Sequence, residues 1–217
     1  MAKGTDFGGV HSSYDLHLIQ QTVDVQPPKL RLNIVDIKGA DGAKDLSDMP
    51  AGRATYGTRK ITWTFALYPE DKWAKKHQQV CGELHGKNAH ITIDGDPEYY
   101  YTGRLSVSKY KSDGLLHRIT VEATCQPYKL KQLETSVARS LTTAYTTLRL
   151  LSDRKPVVPT ITVSAETTLR WKGNTFTLAA GTHKVLDIEF TEGENVLEAK
   201  TVSGTGTITL KYQEGAL

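Results

Sequence analysis

Apolar residues recur at every second position from Ile61 to Leu67, where Ile61, Trp63, Phe65 and Leu67 alternate with Thr62, Thr64 and Ala66. A period of two puts one set on a buried face and the other on a wetter one, so the run predicts a half-buried strand. Leu30, Leu32 and Ile34 alternate with Arg31 and Asn33 in the same way. So do Tyr99, Tyr101, Leu105 and Val107 within residues 98–108. Residues 115–126 carry Leu115, His117, Ile119, Val121, Ala123 and Cys125 on one face. Shorter or weaker strands are predicted at 16–25, before Pro27-Pro28, and at 89–94. Asp94-Gly95-Asp96-Pro97 reads as a turn, and Lys111-Ser112-Asp113-Gly114 as the link of a hairpin. The period changes to that of a helix once. Trp73, His77, Val80 and Leu84 form one stripe, opened by Pro69-Glu70-Asp71 and stopped by Gly86. One narrow stripe predicts a helix that lies on a sheet as its cover.

Residues 35–65 organise this half of the chain. They begin as a strand, pass through Ala40-Asp41-Gly42-Ala43 and a charged run to Gly57-Thr58-Arg59, and end in the strand at 61–67. A polar loop of that length inside a small β domain usually has a function. Residues 1–13, rich in Gly, Ser and His and without a period, predict an arm or flexible end. The first domain closes near Pro127-Tyr128-Lys129. Residues 130–145 suit a short helix or an extended linker, and the linker is preferred. Strands then follow at 148–151, 160–163, 167–171, 175–178, 184–190, 196–200 and 207–212. The turns between them include Lys172-Gly173-Asn174, Ala180-Gly181 and Ser203-Gly204-Thr205-Gly206. Short strands at regular spacing predict a compact sandwich of about seven strands. The fold class is therefore mainly β. A β-sandwich or split-barrel domain with one covering helix, residues 1–132, precedes a β-sandwich domain with a leading linker, residues 133–217.

Charge narrows the partners. Against 24 acidic residues stand 27 basic ones, scattered along the chain, for a formal charge of +3. Binders of phosphate backbones show a clustered basic face instead. Lys72, Lys75 and Lys76 fall on the wet side of the helix. No apolar run is long enough for a membrane span and residues 1–13 lack the apolar core of a signal peptide, so a soluble cytosolic product without membrane insertion is expected. Cys81 and Cys125 are expected as free thiols, Cys125 buried.

The chemistry-bearing residues do not assemble into a catalytic pattern. His77, Cys81 and His85 share one side of the helix at spacings of four. His77 lies in the apolar stripe, however, so a core-edge histidine, a small thiol and a surface histidine are expected rather than a zinc site. Asp94, Asp96 and Glu98 surround one turn and lack the calcium-loop pattern. Gly204-Thr205-Gly206 is followed by no helix and is a hairpin turn, not a phosphate loop. Neither GxSxG, HExxH nor a Walker pattern occurs. No catalytic residue, cofactor site or metal site is expected, and no enzyme. Trp171 is a candidate for stacking on a sugar, and aromatic residues on alternating strands are also common core residues.

A resemblance enters on a series of short motifs. Phe7-Gly8-Gly9-Val10-His11-Ser12 opens it. Asp36-Ile37-Lys38-Gly39-Ala40-Asp41-Gly42, Asp45-Leu46-Ser47 and Tyr56-Gly57-Thr58-Arg59-Lys60-Ile61 follow. Then come Ile93-Asp94, Asp96-Pro97, Tyr100-Tyr101-Thr102-Gly103-Arg104 and Cys125-Gln126-Pro127-Tyr128-Lys129. In order and spacing these resemble the distal tail (Dit) proteins of long-tailed phages. The second domain, ending in Ile208-Thr209-Leu210-Lys211-Tyr212-Gln213-Glu214-Gly215, is similar to the galectin-like or carbohydrate-module-like sandwich attached to many such proteins. The resemblance implies a structural virion protein at the tail tip, assembled in the bacterial host cytoplasm. It implies a homo-hexameric ring that joins the tail tube protein to the tip hub protein or baseplate, with receptor-binding proteins as further partners. DNA would only transit the lumen. A ring needs head-to-tail contacts between two different patches. The long loop could supply one, with Arg53, Tyr56 and Arg59 either as contact residues or as decoration of the loop. The alternative function is a carbohydrate-binding module for host-surface recognition, its site on the second domain at Trp171.

Overall fold

The structure, a computed structural model, describes residues 4–39, 41–49, 51–68, 72–113 and 116–217. The chain divides into two compact units, Met1–Lys129 and Leu130–Leu217. Both are built mainly from antiparallel strands, with one helix among the described residues.

The first unit contains β1 (Thr5–Phe7), β2 (Ile19–Val25), β3 (Ile34–Asp36), β4 (Ala43–Asp45), β5 (Arg59–Ala66), α1 (Trp73–Leu84), β6 (Asn88–Ile93), β7 (Tyr99–Asp113) and β8 (Leu116–Cys125). Six of the strands form one curled sheet in the order β1-β6-β7-β8-β5-β2. The alternation at 61–67 behaves as its period requires. Ile61, Trp63 and Phe65 are fully buried, and across the β5–β8 ladder they face Ala123, Val121 and Ile119. Ala66, expected on the wetter face, is buried too. The helix covers this core with Val80 and Leu84. Gly86 follows at a φ of +80°, a backbone that favours glycine, and so ends the helix where the sequence places the stop. The expected opening at Pro69-Glu70-Asp71 lies outside the described residues. Trp73 leaves the stripe: it is 46% exposed and stacks on Tyr110, ring centroids 4.7 Å apart.

Two expectations fail in this unit for physical reasons. Residues 4–13 are no free arm. Thr5–Phe7 adds β1 to the edge of β6, and Phe7 is driven into the core against Trp63, with centroids 5.1 Å apart. Asp94 fastens it by accepting the Gly4 N–H at 2.7 Å. Residues 30–34 do not form a half-buried strand. Leu30, Leu32 and Ile34 are all exposed, because this segment leaves the sheet before β3 begins.

The second unit is a sandwich of two four-stranded sheets. One holds β10 (Thr135–Leu141), β17 (Gly206–Tyr212), β12 (Thr160–Val163) and β15 (Gly181–His183), in that order. The other holds β11 (Thr146–Ser152), β16 (Gly193–Thr201), β13 (Thr167–Trp171) and β14 (Asn174–Leu178). Short β9 (Lys129–Lys131) and β18 (Gly215–Ala216) pair near the ends of this unit. Leu148, Leu150, Ile161, Leu169, Leu197, Ile208 and Leu210 fill the space between the sheets. Residues 130–145 are thus no linker: they carry β9 and β10, and β10 pairs with β17 along its length. The strand expected at 184–190 is replaced by irregular chain. Ile188 and Phe190 are buried without a continuous ladder, and Phe190 bridges only to Val157.

Candidate functional site: the projecting hairpin and its root

Between β2 and β5 the chain leaves the sheet and returns to it. Residues 34–45 fold into a two-stranded hairpin, β3 with β4, in the register Ile34↔Asp45, Val35↔Lys44 and Asp36↔Ala43. Gly39 and Gly42 supply its turn at φ +84° and +77°. A serine fastens the base. The Ser47 hydroxyl and N–H both donate to Asp45 Oδ1, and Ser47 Oγ accepts the Asn33 N–H at 2.8 Å. Those bonds favour the ionised Asp45 carboxyl and hold its pKa below the ordinary value.

Every described residue from 29 to 45 is exposed. That includes Leu30, Leu32 (58%), Ile34, Val35 and Ile37; Met49, just beyond, is 74% exposed. A two-stranded hairpin that buries nothing is marginal in water. An apolar surface concentrated on one projecting element is the usual mark of a contact surface.

The sequence-predicted contact residues divide. Arg53 and Tyr56 are half-buried at the root of this loop. Tyr56 bridges to Leu30 and meets the Tyr128 ring edge-on, centroids 6.0 Å apart. Arg59 corrects the expectation of a surface loop residue. It is the first residue of β5 and only 4% exposed. Two-residue alternation explains this, because Arg59 has the parity of Ile61, Trp63 and Phe65 and so takes the core side. Its neighbours across the sheet are small: Cys125 on β8, Gly103 on β7 and then Ala89 on β6. The guanidinium lies 5.3 Å from the centre of the Tyr101 ring. The exposed apolar residues of the hairpin were the part that residue-by-residue reading missed. Their alternation looked like a buried face.

Other candidates are structural. Trp171 is 3% exposed, packs its ring against Phe190 and lies beneath the Lys172 ammonium. It only edges a depression of about 270 Å³ that is otherwise lined by Arg170, Lys172, Gly173, Thr175, Val196 and Glu198. The expected sugar-stacking role of Trp171 therefore gives way to a core role. His77 and Cys81 approach to 3.6 Å, and His85 lines the same depression, where its Nδ1 accepts the Val107 N–H. Among the described residues no group of three or more His, Cys, Asp or Glu is placed to hold a metal ion. Asp94 ties down the N-terminal strand and Asp96 pairs with Lys129 at 2.6 Å. In the second unit Lys131 sits between Glu214 at 3.0 Å and Asp153 at 3.4 Å. Burial opposes the lysine's charge, yet the Glu214 hydrogen bond and the two carboxylates raise its pKa. Among the described residues no helix is long and apolar enough to cross a membrane.

Against solved structures the chain superposes on the SPP1 Dit protein, whose crystal structure is described as a paradigm of the hub adsorption apparatus in phages that infect Gram-positive bacteria. The TM-score is 0.67, and the alignment covers 98% of this chain and 99% of that one at 16% identity. This chain has the Dit fold. The likeness spans both units, so the Dit fold includes the second sandwich as well as the sheet that carries the hairpin. No protein-family model and no curated protein sequence matches the chain.

Proposed function

We propose that this chain is a structural protein of a long-tailed phage tail, a distal tail hub that assembles into a homo-hexameric ring. The ring joins the tail tube protein to the tip hub or baseplate, where receptor-binding proteins attach, and lets DNA pass through its lumen. The observation that carries the reading is the full-length likeness of fold to the SPP1 Dit protein. The exposed apolar hairpin supports it, since ring closure needs a projecting patch on one copy and a different receiving patch on the next. The balanced charge suits a channel that must release nucleic acid, because clustered cations would hold phosphates. The role is one of assembly, without a catalytic step.

The test is the mass of the purified protein in solution. Light scattering should give six times 24.0 kDa, and negative-stain microscopy should show rings. A monomer at every concentration, with and without a tail tube partner, overturns the reading.

A further inference from the structure

The root of the hairpin holds a charge that its own fold does not use. Arg59 is almost wholly buried, and its Nε and one terminal nitrogen, Nη2, meet no hydrogen-bond acceptor among the described residues. Tyr101 attracts the face of the guanidinium but leaves its N–H groups unsatisfied. Cys125, directly across the ladder, is no counter-ion. Its burial keeps it a neutral thiol, with a pKa pushed up to about 11. An arginine does not escape the problem by losing its proton. A buried charge with unmet donors lowers the stability of the subunit that carries it. A methionine would fill the same position without that penalty.

We propose that the Arg59 guanidinium receives a carboxylate from segment 34–48, the β3–β4 hairpin and the turn after it, of a neighbouring copy of this chain: Asp36, Asp41 or Asp48. The inference rests on the ring-forming reading above. Rotation about a ring axis moves a subunit around the axis but not along it, so every copy lies at one height. The hairpin leaves its own sheet at the end where β5 starts with Arg59. A hairpin that reaches across to the next copy at that level brings its carboxylates to that copy's Arg59. Of that segment's carboxylates, Asp45 is already engaged by Ser47, whereas Asp36, Asp41 and Asp48 are exposed and accept no such bond among the described residues. A carboxylate matches the guanidinium fork with two parallel hydrogen bonds. The half-buried loop root, residues 53–57, shifts to admit it. The exposed leucine and isoleucine side chains supply apolar contact, and the ion pair sets register.

The experiment compares wild type, R59M and R59K in two measurements: thermal unfolding at dilutions where the protein is monomeric, and assembly by light scattering. R59M should unfold at or above the wild-type temperature, yet assemble roughly ten-fold more weakly or worse. R59K, which keeps charge without the fork, should fall between. Of D36N, D41N and D48N, one should weaken assembly to the R59M level and add nothing when combined with R59M. If R59M lowers the unfolding temperature, or fails to fold, Arg59 serves its own subunit and the inference is overturned. Wild-type-like assembly of R59M, or simple additivity for all three aspartates, also overturns it while leaving the ring intact. A wild type that never assembles overturns the ring reading itself, and this inference with it.

Discussion

At the scale of single residues, the two thiols report on opposite environments. Cys81 lies half-buried on α1, while Cys125 is fully buried at the end of β8, paired with Arg59 of β5. Burial pushes the Cys125 pKa up to about 11, against the smaller opposing pull of Arg59. A thiol-specific reagent at pH 8 should therefore modify Cys81 quickly and Cys125 only when the protein unfolds. Two equally fast thiols by mass spectrometry would contradict the burial. A pKa raised on folding means that the neutral thiol is the favoured form. The associated stability is complete below about pH 9 and is lost as the pH rises toward 11. C125A should flatten that alkaline decline in a thermal-melt series. The tight packing across the sheet has its own test. A methyl group at Gly103 would come within 2.5 Å of Cys125 Sγ and 2.7 Å of the Thr124 carbonyl oxygen. G103A should thus cost about 1–3 kcal/mol in a denaturant titration. Much at this scale was legible: Ile61, Trp63, Phe65, Val121 and Cys125 were named as core positions by parity alone. Arg59 has the same parity, but its charge argued for the outside, and the small residues that make room for it lie 44 and 66 positions further along the chain.

At the scale of elements, what the sequence concealed was tertiary. The strand β1 is three residues long and surrounded by glycine and serine. Only the edge of β6, more than 80 residues away, makes it a strand. In the same way β10 is polar in sequence and acquires its identity from β17. The helix was legible because its stripe and stop are local. The hairpin misled in the other direction. Leu30, Leu32 and Ile34 carry a burial pattern that the chain's own fold does not satisfy. Since β3 and β4 bury nothing in the subunit, replacing residues 32–47 with a short Gly-Ser linker should leave the melting temperature of the first unit within a few degrees of wild type. The same replacement should abolish assembly in light scattering. A large loss of stability would show that the hairpin supports its own sheet.

At the scale of the whole molecule, the two units have separate cores, one around Trp63 and Phe65 and the other around Phe190, Trp171 and Tyr212. The mainly β architecture and the second sandwich were legible in the sequence, because turn signals recur at regular intervals. Strands without an apolar period, such as β10, were not. W171A tests the core assignment. It should destabilise residues 130–217 by about 3–5 kcal/mol, as truncation of a buried aromatic does. The unfolding of the first unit, followed by Cys125 labelling, should stay unchanged. Fluorescence denaturation that left W171A as stable as wild type would return Trp171 to the surface.

The strand order of the second unit has a consequence for how the chain can be made. β17 lies between β10 and β12, so the first strand of the sandwich waits for one of the last. A ribosome has synthesised nearly the whole unit before that sheet can close, and contacts of such long range form slowly. Until residues 206–212 emerge, β10 and β12 each present an unpaired edge of the kind that templates aggregation. A chain stopped before Gly206 would therefore lose its central strand, not its margin. Premature termination near the end of this protein should yield insoluble product instead of a slightly shortened domain.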